Sequence, residues 1–156
     1  MICDRHSADR DPAVKVLFLD IDGVVNKVGT HARYRDSVAI DPFLAFRIGR
    51  IVVDTGCKVV LSSTWRLFPD LRAAVNEYVT DIFDVTPIVA GDFRGDEVRA
   101  WLTGHPEVSR YAILDDGNDF HDDQPLFQTT WLTGITDEVA QRVIEYLNAD
   151  ECPRSN

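Results

Sequence analysis

Lysine disappears from this chain after Lys58, and cysteine, basic charge and long apolar runs are all scarce. Three cysteines, Cys3, Cys57 and Cys152, are an odd number without metal-ligand spacing. They exclude a disulfide framework and argue for no zinc site. Free thiols in a reducing cytosol fit them, with Cys57 as core filler before a strand, so a cytoplasmic location is expected. No apolar run nears the roughly 18–20 residues of a membrane span, and no membrane partner is expected. The first dozen residues are charged rather than apolar, unlike a secretory signal. They read as a flexible leader over 1–13, followed by one domain over 14–148 and a tail over 149–156. There are 26 acidic and 16 basic residues, for a net charge of −10. That balance opposes a broad electrostatic grip on nucleic acid, though a small site for one phosphorylated end remains compatible with it. There is no internal repeat, low-complexity tract or G-x-x-x-x-G-K-[ST] loop.

What is present is an ordinary globular composition, 45% hydrophobic and 27% charged over 156 residues, enough for one proper core. The organising stretch runs from Lys15 through Val16-Leu17-Phe18-Leu19 to Asp20-Ile21-Asp22-Gly23-Val24-Val25-Asn26. A buried strand there delivers two carboxylates, one residue apart, just where it ends. Like charges held that close call for a cation or a shared proton.

From Lys27 to Ala39 the chain is polar and reads as a mobile flap. Asp41-Pro42 caps a helix whose apolar face is Phe43, Leu44, Phe46, Ile48, Ile51 and Val52, stopped by Gly56. Lys58 to Leu61 is a second strand, ending in Ser62-Ser63-Thr64-Trp65-Arg66. A helix follows over 69–79, with Leu71, Ala74, Val75 and Tyr78 facing inward. A short strand is expected within 81–90 and a helix over 95–102. Arg110 to Leu114 is a strand ending in Asp115-Asp116-Gly117, and Thr129 to Leu132 is read as a last short one. Thr136 caps a final helix through Leu147. Continuous apolar strands alternating with helices predict an α/β fold, a Rossmann-like three-layer sandwich around a parallel sheet. Sites in such sheets form at the carboxyl ends of strands. Here three strands end in Asp-x-Asp, Ser-Ser and Asp-Asp.

The stretch Asp20-Ile21-Asp22-Gly23-Val24 after an apolar strand resembles D-x-D-G-[TV], the nucleophile motif of the haloacid-dehalogenase-like (HAD) phosphohydrolases. The resemblance implies Asp20 as nucleophile, Asp22 as general acid and base, and an aspartyl-phosphate intermediate. It implies Mg²⁺ held by Asp20, Asp22 through its backbone carbonyl, Asp115 and a second acid, Asp116 or Asp119. Ser62 takes the place of the family's small hydroxyl residue. The phosphate-holding cation, commonly Lys, would be Arg94 or Arg99. Neither interval flanking Ser62 has room for a sizeable cap domain.

Further resemblance, through Ser62-Ser63-Thr64-Trp65-Arg66 and Arg94-Gly95-Asp96-Glu97, reaches a capless group associated with RNA-repair proteins and polynucleotide kinase/phosphatase. It covers Lys15 to Leu147. It implies a phosphorylated substrate such as a 3′-phosphorylated or 2′,3′-cyclic end of RNA or DNA, with any repair kinase or ligase a separate protein. His31, Arg33, Tyr34, Arg35, Ser63 and Arg66 would contact that substrate, with Tyr34 or Trp65 stacking on a base. The alternatives are a small-molecule or nucleotide phosphatase and a catalytically silent binding domain.

Overall fold

A computed structural model describes residues 13–31, 33–34 and 37–149, without the side chains of 33, 34, 37 and 38. The first strand, β1 (Val14–Leu19), leads to a two-stranded antiparallel hairpin, β2 (Arg33–Tyr34) and β3 (Ser37–Val38). The stretch expected to be a flap thus carries a small hairpin. Then come α1 (Pro42–Thr55), β4 (Lys58–Leu61), a 3₁₀ turn (Thr64–Leu67), α2 (Pro69–Tyr78) and β5 (Ile82–Val85). The chain continues through α3 (Arg94–Thr103), β6 (Val108–Asp115), β7 (Leu126–Gln128) and α4 (Asp137–Leu147). Five strands form one parallel sheet in the order β5-β4-β1-β6-β7, so β1 is central. This is the Rossmann-like α/β sandwich the sequence predicts, and among the described residues a short hairpin is inserted between β1 and α1.

The pleat sorts the core into two layers. Leu17, Leu19, Val59, Leu61, Ala112 and Leu114 pack with α1, α2 and α4. Val16, Phe18, Val60 and Ile113 pack on the opposite face against Val98 and Trp101 of α3. Phe18 meets Trp101 edge to face at a centroid distance of 5.4 Å. Burying each such side chain contributes about 1.5–3 kcal/mol.

Helix starts follow their caps. The Asp41 side chain accepts from the N–H of Phe43 and Leu44, and Thr136 accepts from Val139. Two helix faces differ from expectation. On α1 the buried residues are Leu44, Ala45, Ile48, Ile51 and Thr55, whereas Phe43 and Phe46 are exposed. Tyr78 at the end of α2 is also exposed. Phe46 and Tyr78, with Gly49 and Val53, instead line an outer groove of about 590 Å³. The last strand is Leu126–Gln128 rather than Thr129 to Leu132. Thr130 and Gly134 close a turn there, because Gly134 adopts a left-handed φ of 61°. Cys57 is buried and free, while Cys3 and Cys152 lie outside the described residues. Among the described residues no helix is long and apolar enough to cross a membrane.

Candidate active site

Strand register builds the site. Leu19 pairs with Leu61 on one side and Leu114 on the other, so Ser62, Asp20 and Asp115 come abreast. The rungs Ser62 N–H to Leu19 O (2.9 Å) and Asp20 N–H to Leu114 O (3.0 Å) continue the ladder one step past the strand end. Alternation then sets direction. Asp20, Ser62 and Asp115 share the parity of Phe18, Val60 and Ile113, which face α3. The helix on that face begins with Arg94.

Arg94 Nη1 donates to Asp20 Oδ1 at 3.0 Å and to Asp115 Oδ2 at 2.8 Å. One nitrogen serves both carboxylates, and among the described residues Nε and Nη2 have no hydrogen-bond partner. Of the two cations considered, Arg94 is therefore the one at the site. Arg99 points elsewhere, into an exposed pair with Asp123.

Oxygens of Asp20, Asp115 and Asp116 lie within 4.8 Å of one another. Of the two candidate second acids, Asp116 belongs to this cluster. Asp119 instead accepts the Gly95 N–H on its backbone carbonyl, tying the acidic loop to the start of α3. Asp116 reaches the cluster because position 23 is glycine. Gly23 has φ +79°, and a Cβ there would sit 2.4 Å from Asp116 Oδ2.

Burial and the Asp115 charge push Asp20 up to about 7, against the pull of Arg94. Burial likewise raises Asp115, opposed by Arg94 and the Gly117 N–H. The two carboxylates raise Arg94 in turn and hold it charged. Three carboxylates against one guanidinium leave the cluster short of positive charge. An all-oxygen donor set of this kind fits Mg²⁺, which would be held by Asp20, Asp115 and Asp116. Ser62 Oγ is buried without a partner among the described residues, a donor left over for a ligand oxygen.

Asp22 is exposed, and two donors orient it. Asn26 Nδ2 donates to its Oδ1 at 3.0 Å, and Trp65 Nε1 to its Oδ2 at 3.3 Å. Asn26 is itself fixed, since its Oδ1 accepts the Gly23 N–H at 2.9 Å. Neither role was read from the sequence. The available signal was a buried amide four residues past Asp22, amid Val24 and Val25.

Other expected substrate contacts are placed differently. Ser63 is buried and caps the 3₁₀ turn, accepting from the Trp65 N–H. Trp65 is 6% exposed, with its indole N–H spent on Asp22, so it cannot stack on a base. Arg66 is 7% exposed. It donates to the carbonyls of Ser62, Ser63 and Thr86 and pairs with Glu97 at 2.6 Å. Its charge is consumed inside the protein rather than offered to a substrate. His31 is exposed on the loop before the hairpin. Arg35, and the side chains of Arg33 and Tyr34, lie outside the described residues.

A family model for the HAD domain in Swiss Army Knife RNA repair proteins matches residues 16–140. No curated protein and no solved structure matches the chain. The matched span contains every strand end and every carboxylate of the site, and the chain belongs to this family of HAD domains.

Proposed function

We propose that this protein is a Mg²⁺-dependent phosphomonoester hydrolase that works through an aspartyl-phosphate and acts on 3′-phosphorylated nucleic-acid ends. The observation carrying this reading is the row of Asp20, Ser62 and Asp115 under one Arg94, with Asp22 aimed by Asn26.

The Asp20 carboxylate oxygen attacks phosphorus as the ester P–O bond breaks. Asp22 gives its proton to the departing oxygen, then as a carboxylate takes a proton from the water that cleaves the acyl-phosphate. Free phosphate leaves and Asp20 is regenerated. Arg94 and the Ser62 hydroxyl hold the non-bridging oxygens, whose charge must be stabilised throughout. Bound Mg²⁺ would add positive charge at those oxygens and offset the crowded carboxylates.

Support for the substrate class is of two kinds. The matched family is described from RNA repair proteins, and the strand-end site carries no sizeable cap, which suits a bulky end. A repair kinase or ligase would then be a separate partner. The test is phosphate release from a 3′-phosphorylated oligonucleotide with Mg²⁺, using Asp20→Asn as the blank. Metal-dependent release lost in that variant is expected. Release that survives Asp20→Asn, or no release, would overturn the reading.

A further inference from the structure

Trp65 and Trp101 are 6% and 4% exposed, whereas Trp131 is 41% exposed. It sits on the loop that follows β7, and that loop is laced to the one carrying Asp20 and Asp22. Thr129 Oγ1 donates to the Gly23 carbonyl at 2.7 Å. The Val28 N–H donates to the Trp131 carbonyl, and the Ile135 N–H to that of Val24, both at 2.8 Å.

The loop is also closed on itself. Thr133 and Gly134 both donate their N–H to the Thr130 carbonyl, at 3.2 and 2.8 Å. Gly134 is pinned in place, since a Cβ there would lie 2.5 Å from Leu44 Cδ1 and 2.9 Å from the Val24 carbonyl. A tip held this firmly displays an indole that it leaves open to solvent, with Leu132 (75% exposed) and Val28 (52%) beside it.

We infer that Trp131 is a base-stacking platform for the nucleotide that carries the scissile phosphate. This rests on the phosphatase reading above. Trp131 is two residues from Thr129, at most about 7 Å of extended chain, and Thr129 touches the residue after Asp22. The tip that carries the indole is therefore bonded to the loop that carries Asp20 and Asp22, at the carboxyl end of the sheet where the reacting carboxylates stand. One ring on a two-residue tip matches a nucleobase, because stacking needs a single π face and tolerates any base. A protein partner would instead need roughly 800 Å² per side. The platform takes the role that Trp65, being buried, cannot fill.

The test compares a 3′-phosphorylated oligonucleotide with the same oligonucleotide abasic at its 3′ terminus. Trp131→Ala should raise KM roughly tenfold to a hundredfold on the first, leave the second unchanged, and spare kcat on both. Trp131→Phe should recover most of the loss. Equal effects on the two substrates, or none on either, would overturn the platform. A second readout needs no turnover. In Asp20→Asn, oligonucleotide should quench tryptophan fluorescence saturably, and adding Trp131→Phe should abolish the quench. Failure of the wild type to release phosphate from any ester would sink the phosphatase reading, and the titration would then decide the platform alone. An unquenched indole in that titration overturns the platform and leaves the tip as a protein contact.

Discussion

Arg66 and Arg94 stand at the same end of the same sheet, both hydrogen-bonded to carboxylates, yet they do opposite things. Arg66 is sealed in, and Nε, Nη1 and Nη2 all bond to the protein: three carbonyls and Glu97. It joins the end of β4, the end of β5 and α3. Arg94 is partly open, its side chain 24% exposed, and it spends one nitrogen on two carboxylates. The two are connected, because Glu97 lies one helical turn after Arg94 on α3. Arg66 fixes the helix from which Arg94 reaches out. A cation whose donors are all satisfied is architecture, and one with donors to spare beside crowded acids is chemistry.

Breaking that contrast should cost most on the buried side. Arg66→Ala leaves Glu97 buried and unpaired and three carbonyls short of a donor, so stability should fall by about 3–5 kcal/mol. Urea denaturation checks this. Replacing both partners, as Arg66→Met with Glu97→Leu, should recover much of the loss. A single variant near wild-type stability would contradict the structural role.

Arg94→Ala should act on rate instead, lowering kcat/KM by about a hundredfold, or ~2.7 kcal/mol. Its melting temperature in Mg²⁺ should stay within a few degrees of wild type. Arg99→Ala, which loses only an exposed pair, serves as the neutral control, with stability changing by less than about 0.5 kcal/mol.

A pH-dependent effect sharpens the electrostatics. Asp20 is raised from 3.8 to about 7, so the metal-free folded chain keeps a proton that the unfolded chain has released. Stability should therefore fall as pH climbs from about 4 to about 7, and level off above. Asp20→Asn removes the share of this dependence that Asp20 carries and leaves that of Asp115 and Glu97, which burial also raises. In EDTA it should exceed wild type at pH 8 by on the order of 1–3 kcal/mol, and match it more closely at pH 5. Denaturant titrations at the two pH values check the sign. Mg²⁺ should narrow the gap at pH 8.

The contrast between the arginines also shows where the sequence runs out. The three strands that carry the site were legible because β1, β4 and β6 each end in an apolar run, and their endings put Asp20, Ser62 and Asp115 into one row. Arg94 was legible as a candidate because the resemblance asks for a cation near that helix. Arg66 was misassigned because its partner Glu97 is 31 residues away, and nothing local marks a buried pair. Periodicity on α1 failed similarly: Phe43 and Phe46 are apolar, but the buried arc runs through Leu44, Ala45, Ile48 and Ile51. The last strand was displaced because Leu126–Gln128 is only three residues long and follows Pro125, a weak signal beside the apolar Trp131-Leu132 pair. Asn26 and Trp65, which aim Asp22, depend on side-chain hydrogen bonds that no spacing rule encodes.

The central claim is that Asp20 itself carries the phosphoryl group. Quenching the enzyme with acid during turnover, and reducing it with borohydride, converts an acyl-phosphate at an aspartate to homoserine. Mass spectrometry of the peptides should find homoserine at Asp20 only, dependent on substrate and Mg²⁺. Turnover with no homoserine at Asp20, or with it at Asp22, Asp115 or Asp116, would contradict the account.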